Sequence, residues 1–516
     1  KISKTIFLIL SVVFIFSFRA FSWNGETHKL LTEYAVKNST LGNTNLCQRL
    51  NLDKGILQEW LKISTWLSKK RTILKWVQYG AENEDKHFFY AYRRYDNHFH
   101  NPLDPWNGNP NPWEQAGLDD WVWLPPDSRD IIYWHCTGDS SILWAQDKGE
   151  NRQSGYPQGD QSWGKIREHY YNALISKTDD NGKNDERENY FARTFKGLGH
   201  QMHLIQDMSV PEHVRNDGHP DRERYEKFTI ESWAENDITE GRNLINSYAQ
   251  KPPVFPDVNL NITIAGSLVP ITQLTDINIY DGTNTSDTNQ QGLAEYTNSN
   301  FFSEDTIFTS EEDDPNGLLR HRFPYPRKAS TNLQQLINDE LLPEEVEAED
   351  GKTHSCWYIK KTGHGEIIDH ILAVGYLEKY VREKDNKTLY RRTFYKNWLV
   401  HNDYTEKLVP RAVGYSAALI NYFFRGEIEI TLPTSPEGTP PPQKEGIYAF
   451  TDDNEKVFKE ISLGIKNITP FKEGEEPEDM KDGVVVLVVR YRPCDDNPFE
   501  LPMPEPDRTK QIFAVS

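Results

Sequence analysis

The sequence predicts a mainly α-helical domain followed by a small β-sandwich-like domain. Apolar residues recur every three or four positions over much of 23–430, which is the helical period. A Pro-rich stretch over 431–446 then predicts an extended linker. Beyond it, over 447–516, β-branched residues alternate or run continuously, as they do in strands. The few strands predicted there indicate that this β-rich domain is incomplete within the sequence.

The first 22 residues are predicted to be a secretion signal. Two lysines lie near the start, and a roughly thirteen-residue apolar run follows, too short to span a bilayer core of about 30 Å. Ala20 and Ser22 are small residues at the spacing that signal peptidase prefers. Cleavage after Ser22 would leave Trp23 as the first residue of a secreted or periplasmic protein.

Several periodic segments predict the helices of the first domain. The clearest covers 189–208, and Pro211 marks its end. Two regions between the helices, 101–159 and 252–326, are rich in turn-forming residues and are predicted to be long irregular insertions. The second insertion contains a β-like piece over 258–264. Further helices are predicted over 28–37, 333–342, 367–381 and 389–424.

Charge and cysteine content exclude some classes of function. The formal charge of −20 gives a surface that does not attract polyanions at long range. It argues against a stable nucleic-acid complex held by phosphate contacts. An enzyme whose bound metal ions supply positive charge locally remains compatible with it. The four cysteines are widely spaced and form no CxxC pair, so we expect disulfides or free thiols and no sulfur-ligated metal.

The segment 197–228 carries the strongest chemical signal. His203 and Asp207 are four residues apart on a predicted helix, so their side chains project from one face. His213 follows the proline that ends this helix, where the chain can turn back towards them. Imidazole nitrogens and carboxylate oxygens are the zinc ligands expected where cysteine is absent. Further residues of ligand type in this segment are His219, Glu223 and Glu226.

A second cluster lies upstream, within 80–102. A solvated, charged loop would account for these residues in isolation. Together with the first cluster, and with His28 one turn into the first helix, they predict a metal site assembled from several helices. The residues of ligand type in this cluster are Glu84, Asp85, His87, His98 and His100.

The order of these residues resembles that of the bacterial zinc-dependent phospholipases C and of the single-strand-specific nucleases that share their fold. The shared motifs are an N-terminal Trp, a nearby His, an Asp before an HF-containing segment, then HxxxD, Pro, His and a later His with an acid. They cover about 23–228. The resemblance implies a multi-helix domain with three zinc ions. It also implies that Trp23 binds one zinc ion through its α-amino nitrogen and carbonyl oxygen, and proteolysis must free that amine from an amide.

Transferred residue by residue, the resemblance implies a set of metal ligands with two open positions. Glu84 remains an alternative to Asp85, because the spacing to His98 does not settle the register. Glu223 remains an alternative to Glu226, because the final His and acid of the family are four residues apart, whereas the Tyr-Glu pair here comes later. The implied ligands are Trp23, His28, Asp85, His98, His203, Asp207, His213, His219 and Glu226.

The resemblance implies hydrolysis of phosphoric esters by a metal-activated water, with Asp85 bridging metal ions and steering that water. Glu26 and Tyr95 are the candidate substrate-binding residues, at positions where the phospholipases bind a lipid headgroup. The preference of acids for a helix N-terminus would explain Glu26 equally well. Core packing would explain Tyr95 equally well. The short spacing from Trp23 to His28 is typical of the nucleases, so a phospholipid headgroup and single-stranded nucleic acid both remain candidate substrates.

A different class of function is also compatible with the sequence. In an extracellular or cell-surface binding protein, zinc would be structural and the β-rich domain would provide recognition. The same domain could attach an enzyme to a surface or to another protein. Among the remaining histidines, we expect His200 to support the site from outside, and we expect His364 and His370 not to be ligands.

Overall fold

The computed structural model describes the chain over a set of separate ranges. Predictions that fall elsewhere are outside the described residues: the signal over 1–22, Trp23, the β-like piece over 258–264, the helix over 333–342 and the linker beyond residue 431. The described residues are 25–50, 52, 54–61, 70–85, 94–104, 116–118, 138–146, 153–154, 159–176, 185–217, 230, 234, 241–257, 270–282, 291–303, 306–307, 326, 344–347, 353–362, 365–374, 394–431, 448–451, 458–462 and 464–469.

Helices dominate the described residues, and short strands accompany them. The helices are α1 (Gly25–Lys37), α2 (Thr44–Arg49), α3 (Ile73–Asn83), α4 (Ser141–Gln146), α5 (Trp163–Ile175), α6 (Asp185–Asp207), α7 (Pro211–Val214), α8 (Gly241–Ala249), α9 (Pro270–Thr275), α10 (Leu293–Asn300) and α11 (Trp398–Phe423). The strands are β1 (Glu59–Leu61), β2 (Arg71–Thr72), β3 (Glu344–Glu347), β4 (Thr353–Lys361), β5 (Ile368–Val374), β6 (Phe394–Tyr395), β7 (Ile428–Thr431), β8 (Tyr448–Thr451), β9 (Phe458–Ser462) and β10 (Gly464–Asn467).

The prediction of a mainly helical protein is confirmed. The amphipathic segment 189–208 forms most of α6, whose apolar side chains are buried in the main core. The helix α11 begins later than predicted, where the side chain of Asn397 accepts a hydrogen bond from the backbone N–H of Val400. No helix among the described residues is long and apolar enough to cross a membrane.

The helix predicted over 367–381 is wrong where the structure describes it. Residues 368–374 form β5, the third strand of a four-stranded antiparallel sheet in the order β3, β4, β5 and β6. Ile359 of β4 lies opposite Leu372 in this sheet. A short apolar run has no clear period, and only pairing with the neighbouring strands β4 and β6 decided its structure.

The two insertions are not irregular throughout. Within their described residues lie the short helices α4, α9 and α10, and every residue of α10 is buried. Tyr296 and Phe301 are among the largest fully buried side chains of the protein. Helices of six to eight residues offer too few repeats for periodicity to reveal them.

The predicted boundary between the helical domain and the linker divides a paired strand. The strand β7 pairs antiparallel with β10, with Ile430 opposite Ile465. The strand pairing therefore continues across the predicted boundary after residue 430. A hairpin of β8 and β9 supports β structure after the linker. Residues 470–516 lie outside the described residues, and the sandwich remains a prediction.

The helices α3 and α6 pack with their backbones in direct contact. An ideal Cβ placed on Gly80 would lie 1.9 Å from the carbonyl oxygen of Lys196. One placed on Gly199 would lie 2.0 Å from the carbonyl oxygen of Val77. Only glycine allows this approach, because any Cβ would overlap the facing backbone. The contact brings the C-terminal end of α3 beside the second half of α6.

We expect Gly199→Ala to lower the free energy of unfolding by about 1–3 kcal/mol or more, because the added methyl group forces the two helices apart. Urea denaturation measures this change. Gly164→Ala is the matched control, since an ideal Cβ on Gly164 of α5 meets no atom within 4 Å. We expect it to leave stability unchanged or to raise it by up to about 1 kcal/mol. A Gly199→Ala variant as stable as the control would contradict the prediction.

Candidate metal centre

Four segments of chain bring donor atoms together beside the contact between α3 and α6. His203 and Asp207 lie on the last two turns of α6. Asp85 follows the end of α3, His98 ends the short turn Tyr95–His98, and His28 is the fourth residue of α1. All five side chains are buried. Asp85 retains 8 % exposure, whereas the other four are at 0 %.

The five residues form two overlapping groups, each with three ligand atoms close enough to hold one metal ion. The Asp85 group consists of Asp85, His98 and His203, and the His28 group consists of His28, His203 and Asp207. In the Asp85 group, Oδ1 of Asp85 lies 3.3 Å from Nδ1 of His98 and 3.3 Å from Nε2 of His203.

Asp207 lies between the two groups. Its Oδ1 atom is 3.3 Å from Nε2 of His28. Its Oδ2 atom is 3.2 Å from Nε2 of His203 and 3.3 Å from Nδ1 of His98. The two oxygens of this carboxylate thus contact donors of both groups. The bridging role that the resemblance gives to Asp85 stays a prediction, and Asp207 is a second carboxylate placed between donors.

Hydrogen bonds to Nδ1 of His203 and of His28 fix which ring nitrogen faces the donor groups. Nδ1 of His203 lies 2.7 Å from the carbonyl oxygen of Ala81. Nδ1 of His28 lies 2.7 Å from Oε1 of Gln206, whose amide nitrogen donates to Thr32. Carbonyl oxygens only accept, so each Nδ1 carries the proton and donates it. In a neutral ring, Nε2 then presents a lone pair towards the carboxylates, and this arrangement is repulsive unless a cation lies between them.

The donor set fits zinc. Both carboxylate oxygens of Asp207 are buried without a conventional hydrogen-bond partner among the described residues. Tetrahedral ligands about 2.0–2.1 Å from a zinc ion lie about 3.3–3.4 Å from one another, close to the separations within the groups. Nitrogen and oxygen donors in sets of three are typical of catalytic zinc, which keeps one position open for water.

The ionisation of the buried groups indicates the same need for a cation. Burial alone would lower the pKa of His203, but Asp207 and Asp85 raise it well above its usual value. Burial would raise the pKa of both carboxyl groups, yet His203 holds the pKa of each well below its usual range. Burial would also lower the pKa of His98, but Asp85 and Glu84 raise it. Without a metal ion, protons on His203 and His98 therefore compensate the two carboxylates.

Of the two acids that the sequence left open, the structure brings Asp85 into the group. The carboxylate of Glu84 accepts from Nε (3.0 Å) and Nη2 (2.8 Å) of Arg94. It also accepts from Trp144 Nε1 at 2.9 Å and contacts Nδ1 of His200. Burial would raise the pKa of Glu84, but Arg94 and His200 hold it well below its usual value. His200 therefore lies outside the groups, as expected.

His213 lies beside the groups but belongs to neither. Its Nδ1 atom is 3.1 Å from the carbonyl oxygen of His98, and its ring stacks on Phe99 with centroids 4.3 Å apart. The zinc ions remain a prediction, and His213 adds no ligand to either donor group. Outside the described residues lie Trp23, His219, Glu223, Glu226 and His364.

The candidate substrate-binding residues gain no support from the described contacts. Glu26 is exposed in the first turn of α1, and its Oε1 atom forms an ion pair with Nζ of Lys29 at 2.8 Å. This position suits the preference of acids for a helix N-terminus. The backbone of Tyr95 begins the turn that carries His98, while its side chain is outside the described residues.

Two other histidines are held in pairs away from the donor groups. Nε2 of His100 lies 2.9 Å from Oδ2 of Asp276. Nδ1 of His370 lies 2.9 Å from Oδ2 of Asp403. The structure thus places His98, and not His100, in the Asp85 group, in agreement with the motif. The position of His370 in a strand away from the groups also agrees with the expectation that it is not a ligand.

Sequence reasoning missed the residues that support the ligands, Gln206 above all. Gln206 is fully buried and sits between two ligand positions of α6. Polar residues continue along the buried part of this otherwise amphipathic helix. That pattern is the signal that could have identified Gln206. Arg94 and Trp144 carry no such signal, because each meets Glu84 only through the fold.

No family model, curated protein or solved structure matches this chain. The resemblance to the phospholipases C and nucleases therefore rests on the motifs. A function for the chain must be inferred from the two donor groups and their surroundings.

We expect zinc affinity at the donor groups to fall as the pH is lowered. The carboxylates keep a proton on His203 to a higher pH than in an ordinary histidine, whose pKa is about 6.5. That proton must leave before Nε2 can bind a cation, so binding near neutral pH releases protons. Calorimetric titration with zinc in two buffers of different ionisation enthalpy measures the release. An affinity that stays constant between about pH 6 and 8 would contradict the prediction.

We expect Gln206→Leu to weaken zinc binding at the His28 group roughly 10- to 100-fold, because it removes the acceptor that orients His28. Competition with a chelator measures the affinity. Gln201→Leu is the matched control, since Gln201 is a buried glutamine of the same helix that donates to the backbone of Ala145. Equal losses of affinity in the two variants would show that a general effect on folding, and not the orientation of His28, is responsible.

Proposed function

We propose that this chain is a zinc-dependent phosphoric ester hydrolase. The observation that carries the proposal is the position of Asp207, with one carboxylate oxygen facing each of two adjacent donor groups. Paired sites of this kind are typical of enzymes that cleave phosphodiesters. Bound metal ions would supply an activated water and would stabilise the charge that develops on the phosphate oxygens.

His203 can serve only one of the two groups, because Nε2 has a single lone pair. Nε2 lies close to Oδ1 of Asp85, to Oδ2 of Asp207 and, at 3.3 Å, to Nδ1 of His98, which favours the Asp85 group. The His28 group then keeps His28 and Oδ1 of Asp207, and it needs further donors. The amine and carbonyl of Trp23, as the resemblance implies, would complete it.

Asp85 is the residue best placed to act on water. It is the only one of the five donors with measurable exposure, so it lies on the accessible side of the centre. Its low pKa keeps it ionised, and an ionised carboxylate accepts hydrogen bonds from water. Asp85 would therefore orient the attacking water towards the phosphorus atom, in addition to holding an ion together with His98 and His203.

The proposed substrate is a phosphodiester. The experiment must distinguish between two kinds of molecule that contain one. A phospholipid headgroup and a single-stranded nucleic acid present the same reacting group. The formal charge of −20 disfavours prolonged binding of a long polyanion, but it does not prevent cleavage at a locally positive site. Export after cleavage at Ser22, and attachment through the β-rich domain, belong to the same proposal.

We expect His203→Ala to lower phosphodiester hydrolysis roughly a thousand-fold or more, because several kcal/mol of transition-state stabilisation depend on the ion it holds. The protein should begin at Trp23. Its zinc content is measured first, and its activity is then measured on phosphatidylcholine, single-stranded DNA and 3′-nucleotides. His370→Ala is the control, since His370 pairs with Asp403 away from the donor groups.

Fewer than two zinc ions per chain would refute the hydrolase. A folded protein that holds two ions and cleaves none of the three substrates would favour the binding protein with structural zinc. Activity on one substrate alone would decide between the lipid and the nucleic-acid forms of the proposal.

A further inference from the structure

A buried carboxylate, Glu84, lies next to the Asp85 group and outside it. Its side chain is at 0 % exposure. Arg94 donates to both of its oxygens, at 3.0 and 2.8 Å. Nε1 of Trp144 donates to Oε1 at 2.9 Å, and Nδ1 of His200 contacts Oε2. One carboxylate thus connects the end of α3 with α4, with α6 and with the residue that precedes the turn Tyr95–His98.

Three of the four segments that meet at Glu84 carry the Asp85 group, and α4 is the exception. In each of the three, Glu84 itself or a residue that contacts its carboxylate lies within four positions of a ligand, so its position constrains that of the ligand. On α6 the separation is three residues, about one helical turn. The three pairs are Glu84 and Asp85, Arg94 and His98, and His200 and His203.

Glu84 also lies behind the ring of His98. Nδ1 of His98 faces Asp85 and Asp207, while Nε2 on the other side of the ring is 3.7 Å from Oε1 of Glu84. The separation is longer than a hydrogen bond, so the Glu84 carboxylate acts on the His98 ring through its charge.

The ion pair of Glu84 with Arg94 is better suited to fixing geometry than to raising stability. Removing both charges from water costs several kcal/mol each, and this cost offsets most of their attraction. The paired N–H groups of the guanidinium, in contrast, allow only a narrow range of orientations for the carboxylate. The indole of Trp144 further restricts it, and the Arg94 guanidinium stacks 4.8 Å from the centre of that ring.

We propose that Glu84 is a positioning residue of the metal centre. It holds the segments that carry Asp85, His98 and His203 in the ligand arrangement before any ion binds, and it is not itself a ligand. This inference rests on the metal site of the proposed function, but it does not depend on the reaction.

The test is Glu84→Gln, which keeps the size of the side chain and removes its charge. We expect zinc affinity, measured by competition with a chelator, to fall roughly 10- to 100-fold. The number of ions bound at saturating zinc should stay the same, and the absorption spectrum of the cobalt(II) form should change. The control is Glu366→Gln, which removes a charge that pairs with Arg411 at 2.7 Å, and we expect it to leave zinc affinity and the cobalt spectrum unchanged.

Two outcomes would overturn the inference. A Glu84→Gln protein with unchanged zinc affinity and cobalt spectrum would show that the carboxylate has no positioning role. The loss of one bound ion at saturation would show that Glu84 is a ligand. If Glu84→Gln does not fold by circular dichroism, Arg94→Lys gives the same test, since it keeps the positive charge and removes the paired donors. It should show a smaller fall in affinity, and unchanged binding would again refute the inference.

Hydrolysis is not needed for any of these measurements. A protein that binds zinc and responds to Glu84→Gln as expected, but cleaves no phosphodiester, would refute the proposed hydrolase and support the positioning role. A protein that cleaves phosphodiesters and is indifferent to Glu84→Gln in zinc affinity and cobalt spectrum would do the reverse.

Discussion

The close contact between α3 and α6 is the constraint on which the metal centre depends. Gly80 and Gly199 let the two backbones approach to a distance that no Cβ could accept. Because of this approach, the carbonyl oxygen of Ala81 reaches Nδ1 of His203, and Asp85 emerges from α3 opposite Nε2 of the same ring. A looser packing of the two helices would separate the carboxylate from the imidazole and would leave the imidazole without its outer acceptor. The ligand geometry is thus a consequence of helix packing.

The centre needs positive charge between its buried carboxylates and imidazoles. Asp85 and Asp207 are buried beside His98 and His203, and two buried carboxylates without positive charge would destabilise the fold. Protons on His203 and His98 supply that charge when no metal ion is bound, and metal ions would replace them. Any ion that binds only the folded chain must therefore stabilise it, by an amount that grows with ion concentration. Protons and metal ions compete for the same place, which couples folding, pH and metal binding.

Sequence reasoning placed the residues of α6 well, because His203 and Asp207 depend only on the helical period. It could not choose between Glu84 and Asp85, since neighbouring residues point in different directions and only the packing of α3 on α6 decides which one faces the histidines. The β5 strand was missed because its short apolar run has no clear period. The pairing of β7 with β10 was missed because local patterns do not specify a partner far along the chain.

The distribution of charge between the two donor groups and the neighbouring pair of Glu84 and Arg94 explains how an acidic protein could act on an anion. Arg94 neutralises Glu84, so this pair adds no net charge to the centre. The remaining buried acids of the two groups, Asp85 and Asp207, would be more than balanced by two divalent ions, because each ion carries twice the charge of a carboxylate. The excess would be positive and local. Charges on the distant surface are screened within about 8–10 Å at ordinary ionic strength, so a phosphate that entered such a site would interact mainly with this local excess.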